Sequence, residues 1–258
     1  MKINKMKMST KMLGATALCA LLAACGDGGD EGSVTPPIQG PSPEGVYIGP
    51  VTGSDTAAGV DLFVLEDGTF YALAFDANDN LLGFEQGNGT AVNGQYHSTN
   101  AREFIVDPSV AGTVSASFVA RTSFHGTMTA NGATVTFDAM ATPADLFDYD
   151  KPAVLADITG NWNLLLSDNE VANVTISATG TLGGVSSGGC QFTGTVKPRA
   201  SGKNLFDVTS QAGAAPCVHP GQRAIGIAMS AAGEDGRSLL VMQVADDRSA
   251  GFVAAGGR

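Results

Sequence analysis

The chain has 258 residues, 43% of them hydrophobic, 7% aromatic and 15% charged, with a formal net charge of −11. So acidic a balance excludes partners held through a basic face, nucleic acid and anionic lipid surfaces among them. Abundant Gly, Thr, Ser, Ala and Val in short segments between turn residues is the composition of an all-β protein.

In chain order, the first element is an export signal over residues 1–24. Lys2, Lys5, Lys7 and Lys11 precede any acidic residue, and residues 12–24 are an uncharged, mostly apolar run of 13. A helix needs about 20 residues to cross roughly 30 Å of hydrocarbon, so this run reads as the apolar part of a secretory signal. It ends in Leu22-Ala23-Ala24-Cys25, which resembles the bacterial lipobox. The resemblance implies diacylation of the Cys25 sulfur, cleavage before it and acylation of the new amine. Gly26 follows, where Asp would signal retention at the inner membrane, and this points to the outer membrane. The competing reading is an ordinary cleavage site that frees a soluble periplasmic protein. Removing 24 residues, four lysines among them, leaves 234 residues with ten basic and 25 acidic groups, a formal charge of −15. No later run of 18 apolar residues exists, so no other helical span is expected. Residues 26–43 are Gly, Asp, Glu, Ser and Pro with little that is apolar, a flexible tether of roughly 23 Å reach. The folded body is expected from about Glu44.

The body reads as two similar halves. Strand-like segments at 45–49, 60–65, 69–75, 87–92, 103–106, 113–119, 124–129 and 134–140 make the first, with turns at Asp67-Gly68 and at Asn131-Gly132, a strong hairpin signal. The second has segments at 160–164, 171–176, 192–196, 204–208, 224–229, 238–244 and 251–255. Residues 192–196 parallel 87–92, and 204–208 parallel 103–106. Two copies of about 95 residues indicate a tandem duplication, with 44–141 and 158–258 as domains and 142–157 as the linker. In 171–176, Ala172, Val174 and Ile176 alternate with Val171, Asn173 and Thr175, the period of a half-buried antiparallel strand. Short turns favour meanders, and closing a meander removes its edges. The expectation is therefore two tandem small antiparallel meander barrels or barrel-like sheets, with two β-sandwiches as the alternative. Phe63, Phe70, Leu73, Trp162, Leu164 and Ile176 are the expected inward side chains, and a filled interior is favoured over a pocket.

The chain also resembles a group of proteobacterial lipoproteins to which no activity is attached. The carrying residues are the lipobox, Leu65-Glu66-Asp67-Gly68-Thr69-Phe70-Tyr71, residues 112–117, Gly189-Cys190-Gln191-Phe192-Thr193-Gly194-Thr195, Cys217 and Gly251-Phe252. The resemblance covers nearly all of the chain and implies layout and compartment only.

No catalytic or metal site is expected. Gly184-Val185-Ser186-Ser187-Gly188, followed by Asp207 and His219, imitates a hydrolase elbow and triad, but it lies in a turn between strands instead of a strand–turn–helix. Asp76, Asn78 and Asn80 imitate the start of a calcium loop, yet Leu81 stands in place of the turn glycine and Gly87 in place of the closing Glu. His97, His125 and His219 stand apart, without a second ligand at metal spacing. Tyr47 and Trp162 occupy equivalent places after the opening glycine of each half and read as plugs of the barrel ends. Asp246-Asp247 and Glu234-Asp235 read as solvated loop charges. Of four cysteines, Cys19 leaves with the signal and Cys25 takes lipid, so Cys190 and Cys217 are expected to form a disulfide in the oxidising envelope. Two functions remain: a non-enzymatic envelope protein that is structural or binds a protein or glycan partner, or a barrel that carries a small ligand. No cofactor is expected in either.

Overall fold

In the computed structural model the described residues are 40–104, 109–233 and 236–258. The expected export signal, Cys25, most of the expected tether and Glu234-Asp235 lie outside them. The first half contains β1 (Gly45–Thr52), β2 (Gly59–Val64), β3 (Thr69–Phe75), β4 (Leu81–Asn88), β5 (Thr90–Val92), β6 (Gln95–Glu103), β7 (Val110–Val119), β8 (Ser123–Ala130) and β9 (Ala133–Ala141). The second contains β10 (Gly160–Leu166), β11 (Val171–Ile176), β12 (Thr181–Ser186), β13 (Gln191–Pro198), β14 (Phe206–Ala212), β15 (Arg223–Gly233), β16 (Gly236–Ala245) and β17 (Gly251–Gly257). One 3₁₀ turn, Leu155–Asp157, precedes β10. Among the described residues no helix is long and apolar enough to cross a membrane.

Both halves are closed antiparallel barrels. Barrel 2 runs β10 to β17 in sequence order and closes where β17 pairs with β10. Barrel 1 runs β4-β3-β2-β1-β9-β8-β7-β6, and β4 meets β6 with Glu85 opposite Glu103 and Gln86 opposite Arg102. Beside that seam the Phe104 N–H donates to the Phe84 carbonyl at 2.8 Å. β5 is a short tongue paired to β6. Closure leaves each barrel without open edges, and the two-barrel expectation prevails over sandwiches.

Local chemistry sets the register. Asn131 and Gly132 both adopt positive φ, 49° and 77°, as a two-residue hairpin of this twist requires, and Ala130 pairs with Ala133 across it. Asn93-Gly94 makes the same kind of turn between β5 and β6, with φ of 51° and 75°. Along β11, Ala172, Val174 and Ile176 are buried while the residues between them are exposed. Tyr47 and Trp162 make matching contacts in the two barrels. The Tyr47 hydroxyl donates to the Pro43 carbonyl at 2.9 Å, and the Trp162 indole N–H to the Ile158 carbonyl at 2.7 Å, each four residues upstream. The Arg258 guanidinium covers the Trp162 ring at 4.4 Å.

A third apolar core lies between the barrels. Val46, Phe63, Tyr71, Leu73 and Phe84 on the outside of barrel 1 pack with Leu205, Ile227, Met242, Val244 and Val253 on the outside of barrel 2. Phe63 and Leu73, expected to point inward, belong to this core. Their strands are buried on both faces, so hydrophobicity alone does not tell inside from outside. The segment between the barrels is pinned too: Phe147 and Tyr149 are buried in the same core, and Tyr149 lies between Arg121 (4.6 Å) and Lys203 (5.5 Å). At the rim, Arg199 of the second half reaches Glu66 at 2.9 Å and Asp67 at 3.2 Å while holding Asp207 at 2.6 Å.

Candidate functional site

The two barrels are filled differently. In barrel 2, Trp162, Leu164, Ile176, Leu182, Phe206 and Val208 pack with Val241 and Leu239 in one apolar cluster. Barrel 1 is packed at one end by an aromatic group centred on Phe124, whose ring lies 5.5 Å from Tyr47, 5.4 Å from Tyr96, 6.0 Å from Phe118 and 6.1 Å from Phe137. Towards the other end it holds a cavity of about 160 Å³. Small side chains leave the void: Ala72, Ala74, Ala130 and Ala133 are among its lining residues. Ser54, Thr56 and Ala57 of the β1–β2 loop form part of the rim. The filled interior expected for both halves fails in barrel 1.

Two carboxyl groups face this cavity. Glu85 lies on β4 between Gly83 and Gly87, and Glu103 lies opposite it on β6, at the end of the strand. Like groups directly opposite on neighbouring strands repel when both are charged. Burial pushes the Glu85 carboxyl up to about 8, helped by the charge of Glu103; burial also raises Glu103. Glu85 is half-buried and lines the cavity. No hydrogen bond or ion pair reaches its carboxyl group among the described residues. The third titratable lining group, Tyr96, donates its hydroxyl to the Gly68 carbonyl at 2.7 Å, and burial raises it far above the ordinary phenol range.

Sequence reasoning passed over both residues. Glu103 was visible as the first residue of an apolar stretch, and Gly83-x-Glu85-x-Gly87 as an acid on the same strand face as two glycines. What was not visible is the β4–β6 pairing that sets them opposite each other.

The other sequence candidates do not assemble into sites. Ser186 faces the interior of barrel 2, opposite Ala172, whereas Asp207 lies on the outer face of β14, bound to Arg199. The barrel wall separates these two members of the apparent triad. Asp76 spends its oxygens on its own turn, accepting from the backbone N–H groups of Asn78 and Asn80, each at 2.8 Å, and from the Asn80 side chain. These bonds hold its carboxyl below the usual range. His97 contacts the Ser115 hydroxyl at 3.3 Å, and His125 pairs with Asp138 on the outer wall. His219 lies in the β14–β15 loop, and Asp246 pairs with Arg223 at 2.8 Å. Asp247 accepts from Ser249. Cys190 and Cys217 form a disulfide, with Cα atoms 4.4 Å apart.

No protein-family model and no curated protein matches the chain. Among solved structures it is similar to a protein of unknown function of the DUF3598 family from Nostoc punctiforme, at 12% identity and a TM-score of 0.26, over 83% of this chain and 96% of that one. It is also similar to isotype 1 transferrin binding protein B from serogroup B Neisseria meningitidis, at 8% identity and a TM-score of 0.22, over 78% of this chain and 65% of that one. At such TM-scores neither likeness says what this chain binds or does.

Proposed function

We propose that this chain is a non-enzymatic lipoprotein of the outer membrane, anchored through Cys25, which carries a small, largely apolar ligand in barrel 1. Barrel 2 and the core between the barrels act as a rigid platform. The observation that supports the reading is the largely apolar cavity of about 160 Å³ inside barrel 1. An apolar cavity of about 150 Å³ is large enough to take benzene. Between the two functions left open by the sequence, the cavity favours a small-ligand carrier over a protein or glycan partner met at exposed loops.

Toluene tests the reading. It should raise the melting temperature of the mature protein in proportion to the logarithm of its concentration above Kd. Ala72→Leu, whose branched side chain fills the same space, should remove that shift while leaving the fold intact. A melting temperature indifferent to toluene would end the carrier reading. The anchor has its own test: Cys25→Ser should abolish fatty-acid labelling and move the protein out of the membrane fraction, and a variant that stays with the membrane would refute lipid anchoring.

A further inference from the structure

We propose that the barrel-1 cavity selects a small amphiphilic cation, an amine on an apolar body of about six to eight heavy atoms, whose ammonium group sits between Glu85 and Glu103. The inference rests on the ligand-carrier reading and adds the chemistry of the ligand's head.

The geometry is that of an apolar chamber with charge at one place only. Glu85 and Glu103 are directly opposed across the β4–β6 seam and both line the cavity. Lining side chains from β1, β2, β3, β7, β8 and β9 carry no charge; Val51, Leu62, Ala72, Val114, Met128 and Phe137 are representative. Tyr96 is the other titratable group, and its hydroxyl is engaged with the backbone. An ionised carboxylate against an apolar cavity, with a second one across from it and no Arg or Lys among the residues that line it, is unstable unless it keeps a proton or gains a positive partner. Without a positive partner the pair keeps a proton at neutral pH, in keeping with the raised Glu85.

An ammonium ion supplies the missing charge and donates hydrogen bonds to both carboxylates, while its apolar body fills the void beside them. The exchange balances simply: the amine enters as R–NH₃⁺, the pair gives up one proton to solvent, and no covalent bond to carbon forms or breaks. A carboxylate ligand would meet repulsion. A neutral ligand would find the apolar walls but would leave the carboxyl pair as it was.

Three probes of similar size, benzylamine, benzyl alcohol and benzoate, separate these outcomes in calorimetric titrations of the mature protein, with toluene as the control for the cavity itself. Benzylamine should bind at least about tenfold more tightly than benzyl alcohol near pH 8, and benzoate should not bind. Benzylamine affinity should fall close to tenfold per unit between about pH 8 and 6, with release of nearly one proton seen as a heat that varies with buffer. Glu85→Gln should lower benzylamine to the level of benzyl alcohol and flatten its pH dependence while toluene still binds; Glu103→Gln should weaken benzylamine in the same direction. Toluene binding without preference for benzylamine, or any preference for benzoate, overturns the cation and leaves the carrier. Failure of all four probes overturns both.

Discussion

Raising the pH from about 5 to about 9 should cost the folded protein on the order of 3–5 kcal/mol, and Glu85→Gln should remove most of that loss. Glu85 is raised in the fold from 4.5 to about 8. A carboxyl group raised in the folded state keeps its proton there after the unfolded chain has lost its own. Between these two values the folded state binds more protons, so stability falls as pH rises, and the full cost is reached above about 8. At about 1.4 kcal/mol per unit the displacement gives the range above. Glu103 is raised as well and adds in the same direction. Other perturbed groups act outside this window: Asp76, Asp150 and Asp247 are lowered and affect stability in acid, whereas Tyr71 and Lys203 are raised and affect it in strong alkali. Glutamine preserves the shape and cannot ionise. Urea unfolding across the range should show the variant close to the parent near pH 5 and more stable by roughly 3 kcal/mol near pH 9. Parallel stability curves for the two proteins would show that Glu85 ionises freely, and the carboxyl pair would lose its physical basis.

Such a cost is out of place in a barrel maintained for stability alone. In barrel 2, Trp162, Leu164 and Phe206 pack in the interior with Val196 and Val208. Barrel 1 instead leaves a void beside Ala72 and Ala74 and sets two acids at its wall. Loss of packing together with buried like charges is the combination expected where a site and not a core is being maintained.

The sequence makes the fold legible where one physical cause dominates. Alternation in Val171 to Ile176 survives because β11 has one face in barrel 2 and the other in water. Asn131-Gly132 is readable because few residues accept two successive positive φ values. Legibility fails where two burials overlap. Phe63 and Leu73 sit on strands covered by the barrel-1 interior on one side and by barrel 2 on the other, so apolar residues occupy both faces. Phe147 and Tyr149 stand in a stretch that reads as linker because its prolines and acids dominate, yet their rings are drawn into the interbarrel core. The carboxyl pair is the hardest case. Eighteen residues separate Glu85 from Glu103 along the chain, and only closure of the barrel sets them face to face.

Replacing both members of the Cys190–Cys217 bridge with alanine should destabilise the protein by roughly 3.5 kcal/mol without changing its topology. The bridge joins residues 27 apart, from the entrance of β13 to the loop after β14. These strands already pair from Phe192 opposite Ala212 to Pro198 opposite Phe206, so the native fold brings the two cysteines together without help. The loop between β14 and β15 is tied at its base by the Gly213 N–H to the Gln191 carbonyl (2.7 Å) and by the Ala212 N–H to the Gln222 carbonyl (2.9 Å). What the bridge restricts is the unfolded chain, and the entropy of closing a loop of this length gives the magnitude quoted. Because the interbarrel core joins Leu205 and Ile227 to Phe63 and Tyr71, loss of barrel 2 exposes the apolar wall of barrel 1. The two halves should therefore unfold in one calorimetric transition, lowered by roughly 7–14 °C in the double variant. The far-ultraviolet spectrum should be unchanged, as should the response of barrel 1 to toluene. A shift below about 1 kcal/mol would show that the bridge only staples a loop whose opening is independent of global unfolding. A variant that unfolds in two separated steps would show that the interbarrel core does not couple the barrels.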